Sequence, residues 1–234
     1  MERYTLYQDD VFAGLDKVAT GSVDLCIVDP PYCALAAGRV AREENKNYPE
    51  YEWDKFPSIS AFSAFTEKWF ALLKTKMKDN SYIFIFWSQK HMSLGHQIFK
   101  PDRTLIWQYS NLVFKPKGDW QYTYEPIFVI KKGRPQLALT SPSVLSFTKP
   151  QANYVTDRAV YPTQKPRALI AHLLRTVGLP KDSLVLDCFQ GSGVVGEQSL
   201  LAGYKYIGID KDDNSMAVSK VLLDAASKVR TLLD

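Results

Sequence analysis

Cysteine and histidine are scarce in this chain, at three residues each, and none of them stands at a metal-ligand spacing. Cys26, Cys33 and Cys188 are odd in number and scattered, which excludes a disulfide framework and points to reduced thiols in a cytoplasmic setting. With only His91, His96 and His172 beside them, no zinc site or other metal site is expected. Long apolar runs are missing as well: none approaches the ~20 residues that a membrane span needs. Met1-Glu2-Arg3-Tyr4 leads into no apolar stretch, which argues against a secretory signal. Internal repeats and low-complexity tracts are absent too. What remains is an ordinary globular composition, 46% hydrophobic and 23% charged over 234 residues, enough for one α/β domain across 1–234.

The net charge of +4 hides an uneven distribution. Between Lys100 and Arg167 eleven Lys and Arg stand against four acids, so this segment is +7 and the remainder −3. A basic segment in a slightly acidic domain is a candidate polyanion face, to be weighed against an ordinary solvated surface.

Hydrophobic patterning places strands at 4–7, 24–28, 82–86, 104–109, 126–130, 183–187 and 205–209. Helices are read at 11–18, 58–78, 89–99, 166–178, 194–201 and 213–232, the last with Met216, Val221, Leu222, Ala225, Val229 and Leu232 as its apolar face. Asn80 is read as the stop of the second helix. Two stretches lack periodicity. The first, 33–58, carries Tyr48, Tyr51, Trp53 and Phe56 and reads as a mobile lid; the second, 131–160, reads as a small inserted lobe or extended loop.

Chemistry concentrates at two strand ends. Val23-Asp24-Leu25-Cys26-Ile27-Val28 is a buried strand by composition, and Asp29-Pro30-Pro31-Tyr32 follows it at once. A carboxylate, a stiff Pro-Pro turn and an aromatic ring at the carboxyl end of such a strand lie where open α/β sheets bind ligands. The second end is Asp187-Cys188-Phe189-Gln190-Gly191-Ser192-Gly193. Its glycines let a ligand approach the backbone, the following helix offers free N–H groups, and Asp210 at the end of the next strand suits the hydroxyls of a ribose. Gly191, Gly193 and Gly196 also match the dinucleotide fingerprint, but only 24 residues follow Asp210, too few for a second mononucleotide half.

Together these segments resemble the amino-methyltransferases of nucleic acids, the S-adenosyl-L-methionine-dependent enzymes that methylate adenine N6 or cytosine N4. Asp29-Pro30-Pro31-Tyr32 matches their catalytic motif, and Asp187-x-Phe189-x-Gly191-Ser192-Gly193 their cofactor motif, in the circularly permuted order of the β class. Pro162-Thr163-Gln164-Lys165-Pro166 and Asp10 extend the match, while Tyr161 departs from the His that usually precedes the first of these. The resemblance implies a Rossmann-like methyltransferase fold: a seven-stranded, mostly parallel sheet with one antiparallel strand. Its spatial order is 4–7, 205–209, 183–187, 24–28, 82–86, 126–130, 104–109.

It also implies roles. Asp29 and the Pro30 carbonyl accept the two N–H of the target amine, Pro31 stiffens the turn, and Tyr32 stacks on a base flipped from duplex DNA. Asp210 holds the cofactor ribose, Asp10 its adenine amine and Phe189 its adenine ring, with Asp187, Ser192, Thr163 and Lys165 around the methionine end. Target recognition falls to 131–160, where Lys131, Lys132 and Arg134 are candidates for phosphate or guanine, aided by the 33–58 lid and the 111–122 loop or by a homodimer. The expected activity is adenine-N6 methylation. N4-cytosine methylation is the alternative, although that group more often carries Ser at the position of Asp29; RNA or protein-amide methylation and a non-catalytic DNA-binding module stand further off.

Overall fold

The protein is described from a computed structural model, which covers residues 3–33, 35–36, 54–111, 118, 120–151 and 163–231. Eight strands form one sheet in the order β1 (Tyr4–Gln8), β10 (Lys205–Asp210), β9 (Leu184–Asp187), β2 (Val23–Val28), β5 (Met77–Phe86), β7 (Tyr124–Lys132), β6 (Arg103–Gln108) and β8 (Val144–Ser146). Only β7 runs against its neighbours. The seven strands read from sequence are all present in the order expected. The eighth is new: Val144-Leu145-Ser146 pairs in parallel with β6, burying Leu145 and leaving its neighbours exposed. Three residues with one buried side chain are too short a pattern to read as a strand.

Both faces of the sheet are covered, so its central strands alternate between two cores rather than between core and water. Leu25 and Ile27 of β2 and Tyr82, Phe84 and Phe86 of β5 face α4 (Arg167–Val177), α5 (Val194–Leu201) and α6 (Asp213–Thr231). Cys26, Val28, Ile83 and Ile85 face α1 (Val11–Asp16), α2 (Ile59–Lys76) and α3 (Met92–Phe99). Each such buried aliphatic or aromatic side chain contributes about 1.5–3 kcal/mol, which explains the apolar run at 82–86 within β5.

Two expected details change. Helix α2, capped by the Ser58 hydroxyl on the Ala61 amide, ends at Lys76 and passes straight into β5. The amides of Gly21 and Ser22 take the carbonyls of Thr75 and Lys76, so the last turn is satisfied by the entry to β2 and needs no loop. Asn80 is instead a left-handed residue (φ 61°) inside β5. Helix α6 is rotated from its expected face: Val221 and Val229 are exposed, whereas Ser215, Ser219, Leu223 and Ala226 are buried. Close approach to the Gly193 turn, where an added Cβ would lie 2.6 Å from that of Ser219, selects small residues over large apolar ones.

The 33–58 connection is tied at its base. β3 (Leu35–Ala36) and β4 (Lys55–Phe56) pair in parallel as a separate two-stranded sheet. Its central part 37–53, with Tyr48, Tyr51 and Trp53, lies outside the described residues, as do 112–117, 152–160, Tyr161 and Pro162. Within 131–160, residues 131 and 132 end β7 and 144–146 form β8.

Candidate active site

The strands that end in Val28 and Asp187 are direct neighbours, so the two motifs meet at the carboxyl edge of the sheet. Asp29 leaves β2 with its carboxylate between two donors: the Tyr32 hydroxyl bonds Oδ1, and Lys165 Nζ lies 2.5 Å from Oδ2. Pro30 and Pro31 are buried, and Tyr32 is half-buried with its ring edge-on to Trp87 at 6.2 Å between centroids. The turn is fastened from outside. Asp54, at the foot of β4, accepts the amides of Tyr32 (2.6 Å) and Cys33 (2.7 Å), and Cys33 adopts a left-handed backbone (φ 51°). A buried carboxylate with two N–H donors fixes the direction in which the chain leaves the Asp-Pro-Pro-Tyr turn.

Lys165 reaches this edge from the turn before α4, and its ammonium is nearly buried. It stands 3.5 Å from Glu125 Oε2 and lies over the rings of Phe86 (5.1 Å) and Tyr32 (5.6 Å). Glu125 Oε1 in turn pairs with Lys149 Nζ at 2.7 Å. Burial pushes the Asp29 carboxyl above its ordinary value; Lys165 pulls it back and Glu125 pushes it further up. Burial opposes charge on Glu125 too, but Lys165 and Lys149 together outweigh it and hold that carboxyl below the usual range. Lys165, disfavoured by burial, is nevertheless raised by Asp29 and Glu125 and is an ammonium throughout the physiological range. Tyr32 is pushed well up by burial and then by Asp29, which keeps its hydroxyl a donor.

The neighbouring motif has a different character. Gly191 and Gly193 take positive φ (47° and 79°), and the resulting turn leads into α5 with no side-chain cap. Asp210 Oδ2 accepts the Gly191 amide at 2.9 Å, and Asp187 Oδ1 the Phe189 amide at 3.0 Å. Burial pushes Asp187 well above the ordinary carboxylate range, with Asp29 and Asp210 adding to the rise and the Phe189 amide opposing it. Asp210 is raised by burial against the amides of Asp212 and Gly191. Ser192 is buried in the turn, and the Phe189 ring packs edge-on against Trp69 at 5.2 Å. Gly196 serves packing: a Cβ there would sit 2.5 Å from the Tyr206 ring.

Asp10 and Asp210 follow adjacent strands, since Gln8 pairs with Asp210. Asp10 caps α1 by accepting the Phe12 and Ala13 amides, while its neighbour Asp9 pairs with Lys17. Thr163 is exposed on the turn that presents Lys165. Lys131, Lys132 and Arg134 are not brought to this edge. Because β7 is antiparallel, Ile127 pairs with Phe86 near Asp29, whereas Lys132 pairs with Ser81. Five residues at about 3.3 Å each put these cations on the opposite rim of the sheet. There Lys132 Nζ donates to the Met77 carbonyl at 2.7 Å and the Arg134 amide to Asn80 Oδ1 at 2.8 Å.

Asp54, Glu125 and Lys149 are site residues that the sequence reading missed. Glu125 carried a usable signal: like Asp29, it is a lone acid at the site-facing end of a buried strand, but before rather than after it.

The N6/N4 DNA methylase family model matches residues 23–221. Type II methyltransferase M2.DpnII of Streptococcus pneumoniae is 24% identical over 250 residues, covering 95% of this chain and 90% of the relative. M2.MboI of Moraxella bovis is 24% identical over 249 residues, with 94% and 87% covered. Among solved structures, the M1.HpyAVI–SAM complex superposes with a TM-score of 0.68 at 19% identity, covering 94% of this chain and 99% of that one. PvuII DNA methyltransferase (cytosine-N4-specific) gives 0.71 at 16% identity over 98% and 92%. The match spans both strand-end motifs, and this chain belongs to the N6/N4 DNA methylase family, the amino-methyltransferases of DNA.

Proposed function

We propose that the protein methylates adenine at N6 in duplex DNA. The observation that carries this reading is the Asp29 carboxylate, fixed at the mouth of β2 by Tyr32 and Lys165 beside the glycine turn that follows β9. The lone pair of an adenine amine is delocalised into its ring, so the nitrogen has to pyramidalise before it can attack. Asp29 accepts one N–H and the Pro30 carbonyl the other, which fixes the amine and aims its lone pair. Pro30 and Pro31 hold that carbonyl in place, and Tyr32 offers a ring to a base that has left the duplex.

S-adenosylmethionine, the methyl donor of this family, supplies an electrophilic methyl group on a cationic sulfonium. The residues fit it. Asp187 and Asp210 are carboxylates raised by burial and by neighbouring acids, an environment that a cationic ligand relieves. Asp187 would take the ammonium end and Asp210 the ribose hydroxyls, with the Gly191–Gly193 backbone close against the ligand. Asp10 and Phe189 would hold the adenine, and Ser192, Thr163 and Lys165 would flank the carboxylate. On the same sheet edge the β6–β7 connection exposes Trp120 and Tyr122, aromatic surfaces suited to DNA.

Cytosine N4 is the second reading, favoured by the cytosine-N4-specific structure that superposes over 98% of this chain. Transfer of tritiated methyl to duplex DNA, followed by nucleoside analysis, separates the two. N6-methyladenine is the expected product, and N4-methylcytosine alone overturns the assignment.

A further inference from the structure

Four charges of alternating sign form a chain beside the turn that follows β2. Asp29 comes from the end of β2, Lys165 from the turn before α4, Glu125 from the start of β7 and Lys149 from the segment after β8. Lys165 Nζ stands 2.5 Å from Asp29 and 3.5 Å from Glu125, and Lys149 Nζ 2.7 Å from Glu125. Lys149 is held in place rather than left to drift. Its amide donates to Asn111 Oδ1 at 2.9 Å, its carbonyl accepts Asn111 Nδ2 at 2.8 Å, and its ammonium lies 4.1 Å from the Tyr109 ring centroid. Glu125 Oε2 is buried, and among the described residues the ammonium that faces it is that of Lys165, at 3.5 Å.

A single buried ammonium therefore serves two carboxylates. We propose that Glu125 is a positioning residue that shares the Lys165 ammonium with Asp29, and that Lys149 sets the share by neutralising Glu125. An Asp29 that held the whole ammonium would be a poor acceptor for an amine N–H; sharing leaves it the electron density to grip the target. The arrangement rests on the methyltransferase reading for its purpose, not for its existence. The other charged or titratable groups facing Asp29 are the Tyr32 hydroxyl on Oδ1 and the Asp187 carboxylate from β9, and both stay in place in the variants below.

The test is a carbon-13 carboxyl NMR titration of Asp29 in the full-length protein without ligand, the signal being assigned by its loss in Asp29→Asn. Glu125→Gln removes a negative neighbour and returns the whole ammonium to Asp29, so the midpoint falls by about half to one pH unit. Lys149→Met leaves Glu125 uncompensated to draw Lys165 away, so the midpoint rises by a similar amount, and Lys149→Arg restores it. The acid limb of single-turnover methyl transfer to duplex DNA moves with the same signs. Shifts of equal sign, or none in either variant, overturn the proposal. Where Glu125→Gln fails to fold, the Lys149 pair decides: a rise with Met that Arg reverses upholds the sharing, and no difference between them overturns it. Opposite NMR shifts in a protein that transfers no methyl group uphold the sharing and overturn the methyltransferase reading instead.

Discussion

The two halves of the site solve the same electrostatic problem in opposite ways. Around Asp29, two carboxylates and two ammoniums alternate, so the acceptor half is neutral within the protein itself. Around Asp187 and Asp210 the closest polar partners are backbone amides; burial raises all three carboxyls, but among the described residues only Asp29 has an ammonium in contact, and Asp187 is pushed well up. One half is paired with ammoniums when the chain folds; the other is not, and on the reading proposed above a cationic ligand would complete it. On that reading, the difference teaches that preorganisation sits where an amine would be aimed, and electrostatic strain where binding energy would be gained.

The sharpest way to break this comparison is to remove the acceptor. Asp29→Ala is expected to lower methyl transfer by about 10²–10³-fold while ligand affinity changes little, measured by single-turnover transfer and calorimetry. Comparable losses in both would mean that the halves are one unit. Asp187→Asn probes the other side with two signs. Affinity for S-adenosylmethionine should weaken roughly 10-fold, one hydrogen-bonded charge's worth. The free protein should melt a few degrees higher at neutral pH, because a desolvated carboxylate is gone. The sign follows from linkage: the Asp187 pKa is raised on folding, so the folded state binds the proton more tightly and the charged form is destabilising. That penalty grows as pH rises from the unfolded pKa to the folded one and is fully relieved only below the unfolded value, so the advantage of the variant should vanish in acid. A melting curve that favours wild type at pH 7 would refute the idea of an uncompensated half.

Asp54→Ala should have a smaller effect. Two buried amides lose their acceptor, and about 10-fold in the transfer rate is expected with unchanged cofactor affinity. Restoration by Asp54→Asn, which retains one acceptor oxygen, would be partial. Smallest of all, Lys131→Glu with Lys132→Glu should leave DNA affinity and its salt dependence unchanged, since both lie on the rim away from Asp29. A flattened salt dependence would move the DNA face to that rim.

Local pattern and motif made most of the frame legible. The β2 run, the α4 face of Leu169, Ile170, Leu173, Leu174 and Val177 and the turn into α5 each follow from periodicity or from glycine and proline chemistry within a few residues. What escaped was held by contacts distant in sequence. Asp54 grips amides 21 and 22 residues earlier, and Lys149 meets Glu125 across 24 residues. A charged residue in an irregular stretch looks the same in sequence whether water or a buried partner takes its charge. The basic segment is divided between the two rims for a related reason. Lys131 and Lys132 are close in sequence to Glu125, but an antiparallel strand carries its two ends to opposite rims, and composition does not record strand direction.

The small clasp of Leu35–Ala36 with Lys55–Phe56, together with the Asp54 bonds to the catalytic turn, has a practical consequence for engineering. It brings together the described residues on either side of positions 37–53, and the cost of closing a stretch between two such points grows only logarithmically with its length. Replacement of the stretch between Ala36 and Asp54 by segments of other lengths is therefore expected to leave the turn after β2 in place.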